Sequence, residues 1–587
     1  MTASDTAPGR GGGSTVGEAA LAALVDAQRE AVLAEDRVLC LLAGAGTGKT
    51  RVLTLRVARR LQDRSAHPNH VLVCTFSRKA ADELRTRLWT LGAGADVRAG
   101  TFHRTALGLI RQHRADKGLS PPTVLADRRL LLAEVLTADR RPNRRGARPD
   151  RWAAATAGER QVVRRLEAEI GWAKARLVKP EGYAAGVQVA RRRPSLGAAR
   201  VAELYAAYEH EKRRRGVLDL DDLLLVAGNL LEDDSRFAAA VRWRNRQLFV
   251  DEMQDVNPAQ FRLLQAVAGD DPDLFVVGDP NQSVYGWNGA DPTLLHRFPV
   301  LYPQARVVRL EHNHRCSPQV IAAAVAALGL APDAAPRSSR PATALPRVAA
   351  HDTDEDEAAW VAHQAWRAHR PGRRWAQIAV LARTNAQLDA VAAALEASRV
   401  PWRMAGGDLA PASDVPPAGA ARPGTGSPRA PSTGPPGSGG TVGPGGPTGP
   451  VDPEADSDGP QDDAVVLSTF HRAKGLQWQV VFVVGLSDGL VPIAGARSVA
   501  ARDEERRLLY VAITRAEDEL TCSWARHPDR RAAAGSAPRD PSPWLAPVEE
   551  VVGRLAAEEA PADPAMAAVH LAGMRRRLAT GQRGDAG

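Results

Sequence analysis

The chain has few cysteines and no long apolar run. Only four of its 587 residues are cysteine and none forms a CxxC pair, so the sequence indicates neither a zinc site nor a disulfide framework and favours a reducing cytoplasm. No apolar run approaches membrane-spanning length, and residues 1–20 lack the apolar core of a signal peptide. We therefore expect a cytoplasmic protein without a membrane partner. Residues 1–20 are expected to form a flexible leader.

Acidic residues are outnumbered by basic ones. Lys and Arg number 77 against 68 Asp and Glu, which gives a net charge of +9. This surplus favours a polyanionic partner, although an Arg- and Ala-rich composition also raises the charge without any function. Hydrophobic residues make up 44% of the chain, so a chain of this length can bury the cores of several domains.

Short apolar runs rich in β-branched residues recur between helical patterns. Continuous runs of this kind are typical of parallel strands that are covered on both faces. The runs occupy residues 37–43, 71–76, 247–252, 274–279, 306–311, 378–383, 464–470 and 480–486. Because the first five and the last three lie far apart in the chain, the pattern predicts an α/β fold with two parallel-sheet domains.

Three segments have a different character. Residues 104–215 show helical spacing with clusters of arginine, which predicts a helical insertion whose basic surface is either a nucleic-acid wall or simply solvated. Residues 411–460 contain 13 Pro and 12 Gly, so this segment cannot offset its chain entropy and is expected to be a disordered linker. The Ala-rich residues 546–587 predict a helical tail.

The stretch AGAGTGKT follows a predicted strand and precedes a helical pattern, which is the context of a phosphate-binding loop. Its small residues let backbone N–H groups approach phosphate oxygens at a helix N-terminus, Lys49 reaches the β- and γ-phosphates, and Thr50 can ligate Mg²⁺. Alanine stands where the pattern normally opens with glycine. The expected cofactors are ATP and Mg²⁺, and the expected nucleotide-binding residues are Ala43, Gly44, Ala45, Gly46, Thr47, Gly48, Lys49 and Thr50.

Three acids, Asp251, Glu252 and Asp255, follow the strand-like run QLFV. Asn257 and Pro258 form a good helix start, so the acids could belong to a solvated turn, and clustered acids alone could also indicate a two-metal nuclease. The phosphate-binding loop favours a third interpretation. In this interpretation Asp251 holds Mg²⁺ and Glu252 orients the attacking water.

Nine ordered motifs make the chain resemble the UvrD/Rep-type superfamily 1 DNA helicases. The motifs are LVDAQREAV (24–32), VCTFSRKAADELRTRL (73–88), GTFHRTAL (100–107), YEHEKRRRGVLDLDDLLL (208–225), VDEMQDVN (250–257), VGDPNQSVYGWNGA (277–290), LEHNHRCSP (310–318), STFHRAKGLQWQVVFVVGL (468–486) and DEERRLLYVAITRAEDEL (503–520). The resemblance implies two RecA-like P-loop NTPase domains and an ATP-hydrolysing 3′–5′ DNA helicase.

The resemblance also implies roles around the nucleotide. Gln28 would recognise the adenine, and Gln282 would sense the γ-phosphate. Arg315 and Arg515 would reach that phosphate from the second motor domain, with Arg515 as the arginine finger. The expected catalytic set is therefore Lys49, Asp251, Glu252, Gln282, Arg315 and Arg515.

Three positions depart from the family pattern. His314 stands where the family usually has the tyrosine that stacks on adenine, and Gln477 replaces a glutamate that holds the ribose, so we expect weaker nucleotide binding. Asn288 replaces an arginine that is common beside the DNA.

By the same resemblance, single-stranded DNA would lie against aromatic side chains. Stacking of bases on such rings tolerates any sequence, and two polar residues, Thr101 and His103, would contact backbone phosphate. The expected DNA-binding residues are Phe76, Thr101, His103, Tyr285, Trp287 and His471.

The largest departure from the family lies between LEHNHRCSP and STFHRAKGLQWQVVFVVGL, where the family normally inserts a further domain, called 2B, that contacts duplex DNA. In this sequence the linker stands in its place. The expected domains are a first motor domain at 21–103 and 216–309, a helical insertion at 104–215, a second motor domain at 310–410 and 461–545, the linker at 411–460 and the tail at 546–587.

We therefore expect a motor that moves 3′→5′ on single-stranded DNA in repair or recombination and is associated with the nucleoid. Its expected partners are single strands, duplex junctions with 3′ tails, and repair proteins bound through the linker or tail. The alternative is a nucleotide-gated DNA-binding scaffold with little or no unwinding activity.

Overall fold

A computed structural model describes residues 18–93, 97–140, 156–405, 463–529 and 537–559. The linker predicted at 411–460 and nearly all of the leader predicted at 1–20 lie outside these ranges. In the part of the chain that is described, no helix is both long and apolar enough to cross a membrane.

The strands are Val38–Ala43 (β1), Val71–Thr75 (β2), Arg98–Thr101 (β3), Thr123–Val124 (β4), Val217–Leu218 (β5), Gln247–Val250 (β6), Asp273–Gly278 (β7), Arg306–Leu310 (β8), His312–Asn313 (β9), Arg337–Ser338 (β10), Arg347–Thr353 (β11), Ile378–Ala382 (β12), Trp402–Met404 (β13), Val465–Thr469 (β14), Trp478–Val483 (β15) and Ala516–His527 (β16).

The α-helices are Glu18–Ala22, Asp26–Leu33, Lys49–Gln62, Arg78–Thr90, Phe102–Asp116, Arg128–Arg140, Ala157–Ala175, Tyr183–Val189, Ala198–Arg215, Leu220–Asp233, Ser235–Arg244, Pro258–Ala268, Thr293–His296, Phe298–Leu301, Pro318–Leu328, Asp354–Ala368, Asn385–Ala397, Val499–Ile513 and Leu545–Glu559.

The first six-stranded sheet has the order β3-β2-β6-β7-β1-β8, and its strands are parallel. Its apolar strands are covered on both faces, because successive side chains of a strand point to opposite sides. In β1, Val38 and Cys40 enter one hydrophobic core while Leu39 and Leu41 enter the other. The five early apolar runs all form strands of this sheet, and the short strand β3 was not predicted.

The second six-stranded sheet has the order β11-β16-β15-β12-β14-β13 and is also parallel. The three late apolar runs form its centre. The prediction missed the flanking strands β11, β13 and β16. In β16, for instance, buried and partly exposed positions are mixed, so the strand does not read as one apolar run. Together the sheets confirm the predicted α/β fold class with two RecA-like units.

The helical insertion has a core of its own, built around Leu166, Ile170 and Tyr208. Its expected start is residue 104. That residue lies inside the helix Phe102–Asp116, whose apolar face packs into the core of the first sheet. This helix is amphipathic, and its buried residues pack against the helix Leu220–Asp233 as well as the sheet.

The expected helical tail starts at residue 546. The helix Leu545–Glu559 begins with Leu545 and Val548 buried in the core of the second unit, beside the helix Pro318–Leu328. These residues are spaced three apart, so they lie on one face of a helix and bury it. Residues beyond 559 lie outside the described chain.

Candidate functional site

The phosphate-binding loop lies between β1 and the helix Lys49–Gln62. Gly46 and Gly48 adopt positive φ angles of 70° and 85°, a left-handed conformation that glycine adopts without strain. The Nζ of Lys49 donates to the carbonyl oxygens of Ala43 and Gly44 at 3.3 and 3.4 Å. The loop therefore turns sharply, and its lysine folds back over it.

Side chains from elsewhere close over this loop. A Cβ on Gly46 would lie 2.6 Å from the Cβ of Arg315, and a Cβ on Gly48 would lie 2.8 Å from Nε2 of Gln28. Gln28 Nε2 donates to the carbonyl oxygen of Thr47 at 2.8 Å. The glycines thus permit a close approach of two segments that are remote in sequence.

The acidic turn begins where β6 ends. Asp251 is buried, and its Oδ1 accepts from the backbone N–H of Glu252 at 3.0 Å. Glu252 has a φ of 54°, which is uncommon for a residue with a side chain and typical of functional sites. Burial and the neighbouring Glu252 raise the pKa of Asp251 to about 7. Burial alone would also raise the pKa of Glu252, but the charges of Lys474 and Lys49 lower it overall.

The helix start after these acids is also present. Asn257 and Gln260 form a capping box at the helix Pro258–Ala268. The turn is therefore structural, and its first two acids face the phosphate-binding loop closely enough for Lys49 to influence both pKa values.

Lys474, from the second unit, links the acidic turn to the segment that contains Gln282. Its Nζ forms an ion pair with Asp255 and donates to the carbonyl oxygen of Gln282 at 2.9 Å. Burial raises the pKa of Asp255 to about 7 even though Lys474 opposes the rise. Lys474 Nζ also lies 3.9 Å from Oε2 of Glu252, so Asp255 is distinguished by being the acid that Lys474 contacts directly.

Gln282 is buried and is held by a neighbouring acid. Its Nε2 donates to Oδ2 of Asp279 at 2.7 Å, and the backbone N–H of Asp279 donates to Oε1 of Gln254 at 2.9 Å. Lys49 Nζ lies 3.9 Å from the same Asp279 carboxylate. Gln254 also donates to the carboxylate of Glu252. These bonds form one network from the loop lysine to the acidic turn.

Three successive residues, Asn313, His314 and Arg315, meet the loop. Asn313 Nδ2 donates to the carbonyl oxygen of Ala45 at 2.6 Å, and its Oδ1 accepts from the backbone N–H of Arg315 at 2.8 Å. The backbone N–H of His314 donates to the carbonyl oxygen of Gly46 at 2.8 Å. Burial and the nearby His312 lower the pKa of His314, so its ring is neutral at neutral pH.

Arg515 lies fully buried at the end of the helix Val499–Ile513. It donates to the carbonyl oxygens of Val511 and Leu476, both at 3.0 Å. Burial and the nearby charge of Arg315 lower its pKa to about 9. Arg515 is therefore held by neutral carbonyls, with its charge uncompensated by a direct carboxylate partner among the described residues.

The residues around the loop fit a nucleotide. Two buried polar atoms beside it, Oε1 of Gln28 and Nε of Arg315, have no hydrogen-bond partner among the described residues. Carboxylate and hydroxyl oxygens, as in Asp251 and Thr50, are ligands that Mg²⁺ prefers. Gln477 is exposed just before β15, and the structure gives it no link to this cluster.

A row of rings crosses from the first unit to the second. Phe76 stacks on Tyr285 with centroids 4.8 Å apart, and Tyr285 lies 6.3 Å from Trp287. Trp287 meets His471 edge-on at 6.4 Å. Trp287 is 52% exposed, which leaves part of its ring accessible for stacking.

The two expected phosphate contacts differ in their surroundings, because Thr101 has a local partner whereas Nε2 of His103 is buried with no hydrogen-bond partner among the described residues. Thr101 caps the helix Phe102–Asp116, since its Oγ1 accepts from the backbone N–H of Arg104 at 3.2 Å. Burial lowers the pKa of His103, and burial together with Arg383 lowers that of His471 to about 4. Both rings are therefore neutral at neutral pH, so they can meet DNA as hydrogen-bonding or stacking groups but not as cations.

Comparison with known proteins identifies the class. Residues 24–303 match the UvrD/REP helicase N-terminal domain, and residues 452–527 match the UvrD-like helicase C-terminal domain. The chain is 35% identical over 596 residues to proteins called ATP-dependent DNA helicase UvrD2 in Mycobacterium tuberculosis and Mycobacterium bovis, covering 89% of this chain and 81% of each relative. It is 29% identical over 388 residues to ATP-dependent DNA helicase PcrA of Staphylococcus epidermidis, covering 65% of this chain and 50% of that relative.

The fold and the matches together define an ATP-hydrolysing DNA helicase built on two RecA-like sheets, which confirms the predicted enzyme class. More particularly, the chain belongs to the UvrD/Rep-type helicase family. The resemblance read from the nine motifs is thereby confirmed.

Four polar residues of the network were missed in the sequence, namely Gln254, Asp279, Asn313 and Lys474. Each lies inside a motif, so motif position was the available signal. Their partners come from other segments, however, and a contact such as the one between Lys474 and Asp255 is visible only after folding.

Proposed function

We propose that this helicase is a motor that moves 3′→5′ along single-stranded DNA and acts in DNA repair or recombination. The observation that carries the proposal is the approach of paired acids and arginines of the second unit to the phosphate-binding loop, next to the row of rings. The names of the relatives, ATP-dependent DNA helicases, support ATP and DNA as its ligands.

The proposed domains follow the two sheets. Residues 21–101 and 217–310 form the first motor domain, extended by the helix Phe102–Asp116, and the intervening helices form the insertion. Residues 311–405 and 463–559 form the second motor domain. The proposal that a linker replaces the 2B domain rests on the composition of residues 411–460.

At the nucleotide, the backbone of the loop and Lys49 would bind the phosphates, while Gln28 and His314 would flank the base. Asp251 and Thr50 would hold Mg²⁺, which when bound neutralises negative charge on the phosphates. Glu252 has a lowered pKa, so it is ionised at neutral pH and can orient the attacking water.

Arg315 and Arg515 would bind the γ-phosphate from the second unit. Both stand where the units meet, since Ala45 of the loop lies in the same buried cluster as Cys316. Hydrolysis would therefore require the units to close on each other. Gln282, which donates to Asp279, would sense whether the γ-phosphate is present and would transmit this to the segment that follows it.

Single-stranded DNA would stack on the rings of Phe76, Tyr285, Trp287 and His471, with Thr101 and His103 near its backbone. Base stacking contributes roughly 1–3 kcal/mol for each ring. Alternation between open and closed units would then move the rings along the strand. Without a 2B domain, the motor is expected to translocate well and to separate duplexes poorly.

Lys49→Ala provides the first test. The substitution removes the cation that lies over the loop, so DNA-stimulated ATPase activity should fall to background while the fold is retained. An exposed lysine, Lys79→Ala, is the matched control and should remain active. Stimulated turnover that survives Lys49→Ala would contradict the mechanism.

Direction and unwinding need a second test. Strand displacement on duplexes with 3′ or 5′ tails, combined with a translocation assay on single strands, separates the possibilities. The proposal expects a preference for 3′ tails and translocation that exceeds unwinding. A preference for 5′ tails would contradict the direction, and DNA binding without stimulated ATPase activity would favour the scaffold alternative.

A further inference from the structure

The turn that carries Trp287 is held by a carboxylate of the second unit. Glu504 lies on the helix Val499–Ile513, and its Oε1 accepts from the backbone N–H of Trp287 at 3.3 Å. The backbone N–H of Gly286 faces the same carboxylate. Two successive N–H groups directed at one anion form a nest, which binds negative charge well. The bond joins two units whose closure the motor requires.

The close approach depends on glycine. A Cβ on Gly286 would lie 2.5 Å from Oε2 of Glu504 and 3.2 Å from its Cδ. Even an alanine would therefore push the carboxylate away or displace the turn. The carboxylate therefore occupies the space that the missing side chain of Gly286 leaves beside the turn.

A second bond comes from the same face of the helix. Arg507, three residues after Glu504, donates through Nε to the carbonyl oxygen of Ser283 at 2.8 Å. Residues three apart on a helix share a face, so the two bonds hold both ends of the segment between Ser283 and Trp287. Tyr285, which stacks on Phe76, lies inside that segment.

The same helix ends two residues before Arg515. One rigid element therefore carries the proposed arginine finger at one end and the contact with the aromatic turn near the other. Movement of this helix relative to the first unit would change both together.

We propose that Glu504 is a positioning residue, which holds the turn of Tyr285 and Trp287 in place when the motor units close and so couples closure to the grip on single-stranded DNA. The inference rests on the proposed motor function. Glu504 contacts backbone groups of the turn, and its effect on DNA acts through the rings.

The test compares Glu504→Ala with Glu504→Gln in the full chain. The alanine variant should raise the concentration of oligo(dT) that gives half-maximal ATPase stimulation by about tenfold, the equivalent of one lost charge-assisted hydrogen bond. The KM for ATP without DNA should stay unchanged. The oligo(dT) concentration that the glutamine variant needs should lie between those of the wild type and the alanine variant. Its amide oxygen still accepts a hydrogen bond but carries no charge.

Asp503→Asn is the matched control, because it makes the same change of charge on the adjacent, exposed residue and should leave stimulation unchanged. Gly286→Ala should resemble Glu504→Ala. Adding Gly286→Ala to Glu504→Ala should cause little further loss, because the carboxylate that the new Cβ would meet is gone.

The outcomes separate this inference from the function on which it rests. A wild-type chain without DNA-stimulated ATPase activity would overturn both. If DNA stimulates the wild-type ATPase, and Glu504→Ala needs the same concentration of oligo(dT) for half-maximal stimulation, only the inference is overturned. A Glu504→Ala variant that melts earlier but keeps its DNA requirement would also overturn it, since the residue would then be merely structural.

Discussion

Individual side chains in the cleft differ in charge because their surroundings differ. Asp251 and Asp255 have pKa values raised to about 7, whereas that of Glu252 is lowered by two lysines. Three acids that look equivalent in the sequence are therefore distinct in the fold. Asp251 faces the loop, Glu252 is held ionised by Lys474 and Lys49, and Asp255 makes the direct ion pair with Lys474 of the second unit.

His314 provides a prediction about nucleotide affinity. Its ring is exposed beside Gln28, with 3.4 Å between their Nε2 atoms. Replacing the small imidazole by a phenol ring in His314→Tyr should increase the area that stacks on the base and lower the KM for ATP several-fold. Steady-state ATPase assays at saturating DNA measure this, and an unchanged KM would show that the ring does not meet the base.

Glu357 provides a prediction about pH. It is buried, and it accepts from the backbone N–H of Gly485 at 2.9 Å and from Oγ of Ser523 at 2.5 Å. Burial raises its pKa from 4.5 to about 6, so the folded state binds this proton more tightly than the unfolded chain does. The stability that this group contributes is full below about pH 4.5 and is lost as the pH rises through about 6, a change of about 2 kcal/mol.

Glu357→Gln should remove that dependence. The amide oxygen can keep both hydrogen bonds while no buried charge forms. Relative to the wild type, the variant should gain about 2 kcal/mol in free energy of unfolding between pH 4.5 and pH 8. Urea unfolding at the two pH values measures the difference, and parallel pH profiles would contradict the assignment.

At the scale of elements, the helical insertion is fastened to the first unit by buried ion pairs. Lys174 lies at the end of the helix Ala157–Ala175, and its Nζ donates to Asp219 at 2.7 Å and to Asp222 at 2.5 Å. Those two acids form the capping box of the helix Leu220–Asp233. The three acids near this point, Glu209 included, all pair with Lys174 and with a second buried lysine, Lys212.

Lys174→Met should therefore destabilise the junction strongly. It leaves buried carboxylates short of one cation, and breaking a buried pair in this way costs about 3–5 kcal/mol. Lys179→Met, which changes an exposed lysine four residues after the end of that helix, is the control and should be nearly neutral. Thermal and urea unfolding measure both, and equal stabilities would contradict the role of the network.

At the scale of the whole molecule, the two units share buried surface. Val284 of the first unit lies in the same hydrophobic cluster as Val320 and Leu508 of the second. Lys474, Asn313 and Arg507 add polar bonds across the same boundary. The proposed nucleotide site therefore draws residues from both units.

The substitution Arg515→Ala tests whether hydrolysis needs a residue of the second unit. Removal of an arginine finger lowers turnover by roughly 10³–10⁵, so kcat should fall by at least about 10³ while ATP binding changes little, because other residues hold the nucleotide. Arg502→Ala, an exposed position near the start of the same helix, should keep its activity. A comparable loss in both variants would indicate damage to the helix rather than loss of the finger.

The sequence by itself determined the class of fold, the phosphate-binding loop, the acidic turn and the family, because these depend on local apolar periodicity and on motifs of adjacent residues. It did not determine the irregular strands such as β16, whose burial comes from their neighbours. Nor did it determine that the helix at Leu545 completes a core.

Only the tertiary structure decided which groups meet across the two units. The pairing of Asp255 with Lys474, the cover of Gly46 by Arg315 and the contact of Glu504 with Gly286 each join segments far apart in the chain. Such contacts leave no local pattern, because their energy depends on distances and burial that exist only once both sheets have folded and closed on each other.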